Sequence, residues 1–252
     1  MTGPERRRPE GEGRDLSDLL AEWPYEPGRV NARRVGEGPE APIQVRIELG
    51  ILQLAASGRP DGERPGGRES LLELFSEACG ADVSRRLSPD ECAALRDEAS
   101  QYHHRYVACL ALGDFAGVER DTTRNLAVFD LCRDRAAEAG DRAILERFRG
   151  SVLVMRTRGR ATAAVRDGNP RLAVAAIDRG LDEIRAMLEG RGEAARFEQA
   201  NEVQLLRGMR EMLVPKLPTS QRSELEERLR AAIRAENYEL AAILRDELRQ
   251  LP

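Results

Sequence analysis

Few residues in this chain have the type and spacing for chemistry. His103 and His104 sit side by side in a stretch that also holds Tyr102 and Tyr106. Neighbouring side chains on a helix diverge by about 100°, so the two imidazoles cannot share one metal ion, and a partly exposed structural pair is expected. Cys79, Cys92, Cys109 and Cys132 lie far apart with no Cys-x-x-Cys pair, and each fits a helical pattern. Buried free thiols are therefore expected, with no metal and no cofactor. The sequence holds no His-Glu-x-x-His, no Ser-His-Asp spacing and no glycine fingerprint. Its carboxylates alternate with arginines at i, i+3 and i+4, as on solvated helix faces. These features point away from an enzyme.

Anion binding is the chemistry that remains. Arg147, Arg149, Arg156, Arg158 and Arg160 form the strongest basic cluster, with few acids close by in sequence, and so are candidates to meet a phosphate or an acidic peptide. A second candidate is the turn-rich run from Gly58 to Gly67, with Arg59, Arg64 and Arg68. It lacks the strand, the Gly-Lys-Ser/Thr and the helix of a phosphate-binding loop. An enzyme using this loop on a phosphorylated substrate is the least favoured reading. The net charge of -4, with both signs interspersed, argues against a protein devoted to nucleic acid.

The elements that would position these groups are mainly helical. Only 4% of residues are aromatic, which favours a core of Leu, Ala, Val and Ile between packed helices. Residues 1–14 are Gly, Pro, Glu and Arg with nothing to bury and are expected to be disordered. In 15–68, Asp15 to Trp23 predicts a short helix capped by Asp15 or Ser17, with Trp23 as a core anchor. Val30–Val35 and Pro42–Leu49 predict a β-hairpin, because Ile43, Val45, Ile47 and Leu49 alternate with polar residues. A helix from Leu49 to Ala56 competes with it.

Residues 69–214 read as a helical bundle. A helix is expected from Glu69 to Cys79, ended by Gly80. Ser88-Pro89-Asp90-Glu91 spells a capping box, opening a helix that runs to about Leu112. Further helices follow to about Ala139, from Arg142 to Arg166 and from Arg171 to Glu189, with Gly140-Asp141 as a break. Ala194 to Val214 caps the stack. The turns at Gly113-Asp114 and Gly168-Asn169 are alike, with Val118 matching Ala173 and Leu126 answering Leu181. They resemble tetratricopeptide helix hairpins, although Thr122 and Asn125 depart from that pattern and only two units are visible. A groove in such a bundle would take a peptide or another helix.

The last segment, 218–252, holds two short amphipathic patterns that break near Asn237. Leu225, Leu229 and Ile233 recur every fourth residue in the first, and Ala241, Leu244, Leu248 and Leu251 form the stripe of the second. Tyr238, Leu240 and Ile243 fall on a different stripe, so one set can close an αα-hairpin while the other faces a partner.

The run Glu236-Asn237-Tyr238-Glu239-Leu240-Ala241-Ala242-Ile243-Leu244-Arg245-Asp246, preceded by Leu225-Glu226, resembles the UVR motif. This is the helical hairpin at the C-terminus of UvrB and inside UvrC, and it also occurs in a Clp-family ATPase and in an activator of a protein arginine kinase. The resemblance implies a module that docks proteins and has no chemistry of its own. Tyr238, Leu240, Ala241, Ala242, Ile243, Arg245 and Asp246 would be its partner-binding residues, and UvrB, UvrC, a Clp-type ATPase or a second copy its partners. The fold class expected is mainly α, a helical-hairpin bundle with a small N-terminal β-hairpin and a C-terminal UVR-like hairpin. The function expected is that of an adaptor. The alternative is an accessory DNA-repair factor that touches nucleic acid through the Arg147–Arg160 face. No apolar run is long enough to cross a bilayer and no signal-peptide core begins the chain, so a cytoplasmic location is expected.

Overall fold

The computed structural model describes residues 16–213, 221–234, 240 and 243–245, with side chains from 228 onward in the last part. The chain is mainly helical, with a small antiparallel sheet near its start and a helical C-terminal region. After α1 (Ser17–Glu22) come β1 (Asn31–Arg34), β2 (Ile43–Ile47) and β3 (Gly50–Leu54), then α2 (Leu71–Ala81). The body consists of α3 (Pro89–Ala111), α4 (Phe115–Arg135), α5 (Ala139–Ile144), α6 (Arg149–Arg166), α7 (Pro170–Gly190) and α8 (Asn201–Leu213). α9 (Gln221–Arg234) opens the C-terminal region.

The sheet is a three-stranded meander in the order β1-β2-β3, not a single hairpin. The stretch that could have been helical forms β3, because Ile43 to Ile47 offers it an unpaired edge and Ile43 pairs with Leu54. Strict alternation also fails. Gln44 and Arg46 are buried, whereas Ile47 is exposed. Gln44 is satisfied in a cross-strand ladder, accepting from Arg33 Nε and donating to Gln53 Oε1, each at 3.0 Å. The Arg46 guanidinium binds the carbonyls of Trp23, Ile47, Glu48 and Gly50, which ties the meander to the segment after α1. Trp23 is therefore not a core anchor. It is half-buried, with Arg33 lying 4.2 Å above its ring. Leu16 takes the N-cap position of α1.

The helices stack in chain order, α3 on α4, α4 on α6, α6 on α7 and α7 on α8. The capping box at Ser88 and Glu91 is formed in full. Both turns between paired helices are built alike. Gly113 and Gly168 adopt φ of 73° and 71°, the left-handed conformation that glycine adopts at least cost. The next residue, Asp114 or Asn169, sends its N–H back 2.8 Å to Cys109 or Ala164. Its side chain then caps the following helix by accepting from Gly117 or Leu172 at 3.0 Å. Val118 and Ala173, at matching positions, are fully buried. Thr122 and Asn125, the departures from the repeat, are buried and satisfied by Val118 O at 2.6 Å and Ala99 O at 2.9 Å.

Two expected boundaries move. α2 runs through Gly80 to Ala81, with Ser70 as its cap. α4 ends at Arg135, because Leu87 accepts from Ala137 N and donates to Arg135 O, which holds Ala136 extended in a parallel bridge. Gly140 and Asp141 then lie inside α5, and the expected Arg142–Arg166 helix is interrupted by a single 3-10 turn at Glu146–Phe148. Asp141 is held there by Arg96 at 2.5 Å.

Charged groups join the N-terminal segment to the bundle. Arg105 and Asp121 are both buried and meet through two hydrogen bonds of 2.7 and 2.9 Å, while Arg105 also donates to Ala55 O. Glu98, wholly buried, accepts from the backbone N–H of Leu71 at 2.8 Å and from Arg124. Arg59 Nε lies 3.4 Å from Glu98, near enough for attraction but not aligned to donate. Tyr102 lies beneath Arg124 and Arg105, at 3.7 and 4.8 Å from its ring.

The core is Leu, Val, Ile, Ala and Cys, as the composition implied. All four cysteines are free and buried. Burial pushes the thiols of Cys109 and Cys132 up to about 12, so neither supplies a thiolate near neutrality.

Glycine at close crossings gives a direct check. A Cβ on Gly180 would sit 2.7 Å from Thr157 Cγ2, inside contact distance. Gly180→Ala should cost about 1–3 kcal/mol in urea unfolding. Gly208 is mid-helix in α8 with nothing within 4 Å of such a Cβ. Gly208→Ala should leave the fold intact and add about 0.5–1 kcal/mol.

Candidate protein-docking hairpin

In the C-terminal region, α9 carries Leu229 half-buried and Ala232 buried, with 3% of its surface exposed. Ile233, expected on the inner stripe with Leu225 and Leu229, is instead 52% exposed, and the smaller Ala232 takes the inward position. Side chains of 221–227, that of Leu225 among them, lie outside the described residues. Leu240 and Ile243-Leu244-Arg245 are helical.

The described residues of the second pattern differ in burial. Leu244 is 2% exposed, whereas Leu240 and Ile243 are 39% and 54% exposed. Leu244 is thus turned inward, whereas Leu240 and Ile243 leave branched apolar side chains in water, as does Ile233 on α9. Arg245 is exposed and engaged in interactions of its own. Tyr238, Ala241, Ala242 and Asp246 lie outside the described residues.

The five arginines of the sequence-derived anion cluster do not converge. The helical period of α6 places Arg149, Arg156 and Arg160 on one stripe, facing α4 and α7. Arg149 binds Asp130 at 2.8 Å and Glu146 at 2.5 Å, Arg156 binds Glu183 at 2.8 Å, and Arg160 binds Glu119 at 2.7 Å. The acids missing from the run itself arrive from neighbouring elements. Their effect is seen at Glu146, where burial opposes ionisation but Arg149, Arg191 and Arg133 outweigh it and hold the carboxyl below its ordinary range. Arg158 lies exposed on the opposite side of α6, and Arg147 lies in the preceding 3-10 turn over the Phe148 ring.

Two of the three arginines of the turn-rich loop are engaged similarly, while Arg64 is exposed. Arg59 pairs with Asp61 and Glu63 as well as Glu98, and Arg68 with Glu77 at 2.7 Å. The histidines make no joint site: His103 Nδ1 is 2.7 Å from the Tyr106 hydroxyl, and His104 packs edge-on against His103. Among the described residues, no group of His, Cys, Asp and Glu is arranged to hold a metal ion, and no helix is long and apolar enough to cross a membrane.

Sequence reasoning missed Glu98 and Asp121, which look like ordinary members of charged helices. A helical wheel would have found the split of the arginines, since Arg149, Arg156 and Arg160 are spaced by seven and four residues.

Ala232 and Leu244 are the buried side chains among the described residues of this region. Leu244→Ala should cost about 2–5 kcal/mol locally and melt this region. Ile243→Ser should change stability by no more than about 0.5 kcal/mol. Hydrogen exchange at α9 should rise sharply in the first variant and stay level in the second, with exchange in α3–α7 unchanged in both.

Comparison with curated proteins and with solved structures returned no match. A family model does match, over the segment that holds the buried Leu244 and the exposed Leu240 and Ile243. Residues 219–251 match the UvrB/uvrC motif, and this chain is a mainly helical protein that carries a UVR motif in its C-terminal region.

Proposed function

We propose that this chain is a non-enzymatic adaptor that docks a protein partner through its C-terminal hairpin. The observation that carries the reading is the exposure of Leu240, Ile243 and Ile233 in the same region as the buried Leu244 and Ala232. Exposed branched side chains grouped on a small helical element gain by burial at about 25 cal/mol per Å² of apolar surface. The motif at 219–251 supports a role in protein interaction. By likeness to proteins that carry this motif, the partner is another UVR-bearing protein such as UvrB or UvrC, a Clp-type ATPase, or a second copy, within the cytoplasm.

Direct contact with nucleic acid through the Arg147–Arg160 face is less favoured. Three of its arginines already satisfy carboxylates, and releasing them would forfeit those ion pairs.

The test is affinity purification of the full chain beside Leu240→Ser/Ile243→Ser and Tyr238→Ala/Arg245→Ala, with co-purifying proteins identified by mass spectrometry. A repair subunit, a Clp-type ATPase or the chain itself should be recovered with the natural sequence and depleted about tenfold or more by either double substitution. Identical partner sets in all three samples would remove the hairpin from the function.

A further inference from the structure

The helical stack ends at α8, and that helix carries apolar residues on two sides. Val203, Leu206 and Leu213 are buried against the stack, yet Leu205 is 51% and Met212 67% exposed. With Gly208 and the half-buried Met209, these two follow the spacing i, i+3, i+4, i+7, a second stripe along α8. A Cβ on Gly208 would meet nothing within 4 Å, so the middle of the stripe is open to a close neighbour.

The next part of the chain fits this stripe. Residues 214–220 lead from α8 to α9, and fully extended they reach about 25 Å, well beyond the roughly 8–10 Å between packed helix axes. α9 can therefore turn back antiparallel to α8. Leu229, eight residues after Gln221, then comes level with Leu205, eight residues before Leu213. Ile233 comes level with the first turn of α8. Leu229 is half-buried and Ile233 is 52% exposed, so α9 has an uncovered apolar edge of its own.

Charge and size agree with this occupant. Arg207 and Arg210 of α8 are held by Glu198 and Asp178, which leaves Glu202 and Glu211 without an ion pair among the described residues. α9 exposes Arg228 and Arg234, and Arg234 comes level with the turn where Glu202 stands. Two exposed side chains and a half-buried third fall far short of the roughly 800 Å² per partner that joins separate molecules. A short tether instead supplies an effective concentration of about a millimolar, for which a small patch suffices.

We propose that α8 is the seat of α9 in the same chain, with Leu229 and Ile233 closing over Leu205, Gly208 and Met212. α9 then adds one more helix to the stack, and Leu240 and Ile243 stay in water for a partner. The seat is separate from the docking role proposed above and does not depend on it.

Cross-linking of the full chain with a short bis-maleimide tests this, since the four natural cysteines are buried. Leu205→Cys/Ile233→Cys should link within one molecule about tenfold faster than Leu205→Cys/Ile243→Cys. Leu205→Lys/Met212→Lys, changed only at exposed positions, should raise hydrogen exchange in α9 several-fold and leave α3–α7 unchanged. Equal linking rates, linkage mainly between molecules, or unaltered exchange in α9 would overturn the proposal. The lysine variant should still recover the co-purifying proteins of the natural chain. Adding Leu240→Ser/Ile243→Ser to the Leu205→Cys/Ile233→Cys chain should keep the fast link while those proteins are lost, so either reading can fail alone.

Discussion

Two carboxylates withdrawn from water govern how the parts of this molecule fit together. Glu98 and Asp121 are wholly buried on facing helices, and burial of an ionised carboxylate is tolerated only when it is paired and hydrogen-bonded. Arg105 and Arg124 supply that from α3 and α4, and Arg120 adds a 2.8 Å contact to Asp121. The same cations reach further. Arg105 and Arg120 donate to Ala55 O and Ala56 O just beyond β3, and Glu98 takes the N–H of Leu71 at the start of α2. The geometry that makes these buried charges tolerable therefore also fixes the sheet and its following loop on the bundle. Ile43 and Leu54 can then join Ala108, Cys109 and Val118 in one apolar cluster.

The helical body and the C-terminal region divide the labour differently. In the body, apolar side chains are mostly covered and charges are matched in place, as for Arg149, Arg156 and Arg160. In the C-terminal region Ile233, Leu240 and Ile243 are left outside. A helical region this small has little interior of its own, so these three side chains are available for contact.

What could be read from the residues alone follows from the range of the interactions involved. The capping box at Ser88, the twin turns at Gly113 and Gly168 and the two-stripe pattern around Leu244 are set within a few residues, and each is legible. β3 was ambiguous because its identity depends on an edge offered by β2. The end of α4 was misplaced because Leu87, far away in sequence, pulls Ala136 out of the helix. Gln44 and Arg46 broke the expected alternation because their partners lie across the sheet and at Trp23. For the candidate docking residues, the type and order were visible, but the exposure of Leu240 and Ile243 beside the buried Leu244 was not, since burial depends on what packs against the segment.

The in-order stacking of α3, α4, α6, α7 and α8 has a consequence for how the molecule assembles and comes apart. Each of these helices finds its main neighbour next along the chain, so most of the core forms without closing long loops. Such a chain behaves as a quasi-one-dimensional array in which order spreads from any well-formed pair to the next. The N-terminal sheet is the exception, since Arg34 must find Asp114 and Arg105 must find Ala55 across a long stretch of sequence. On the range of these contacts, compaction of the helical array is expected to precede capture of the sheet.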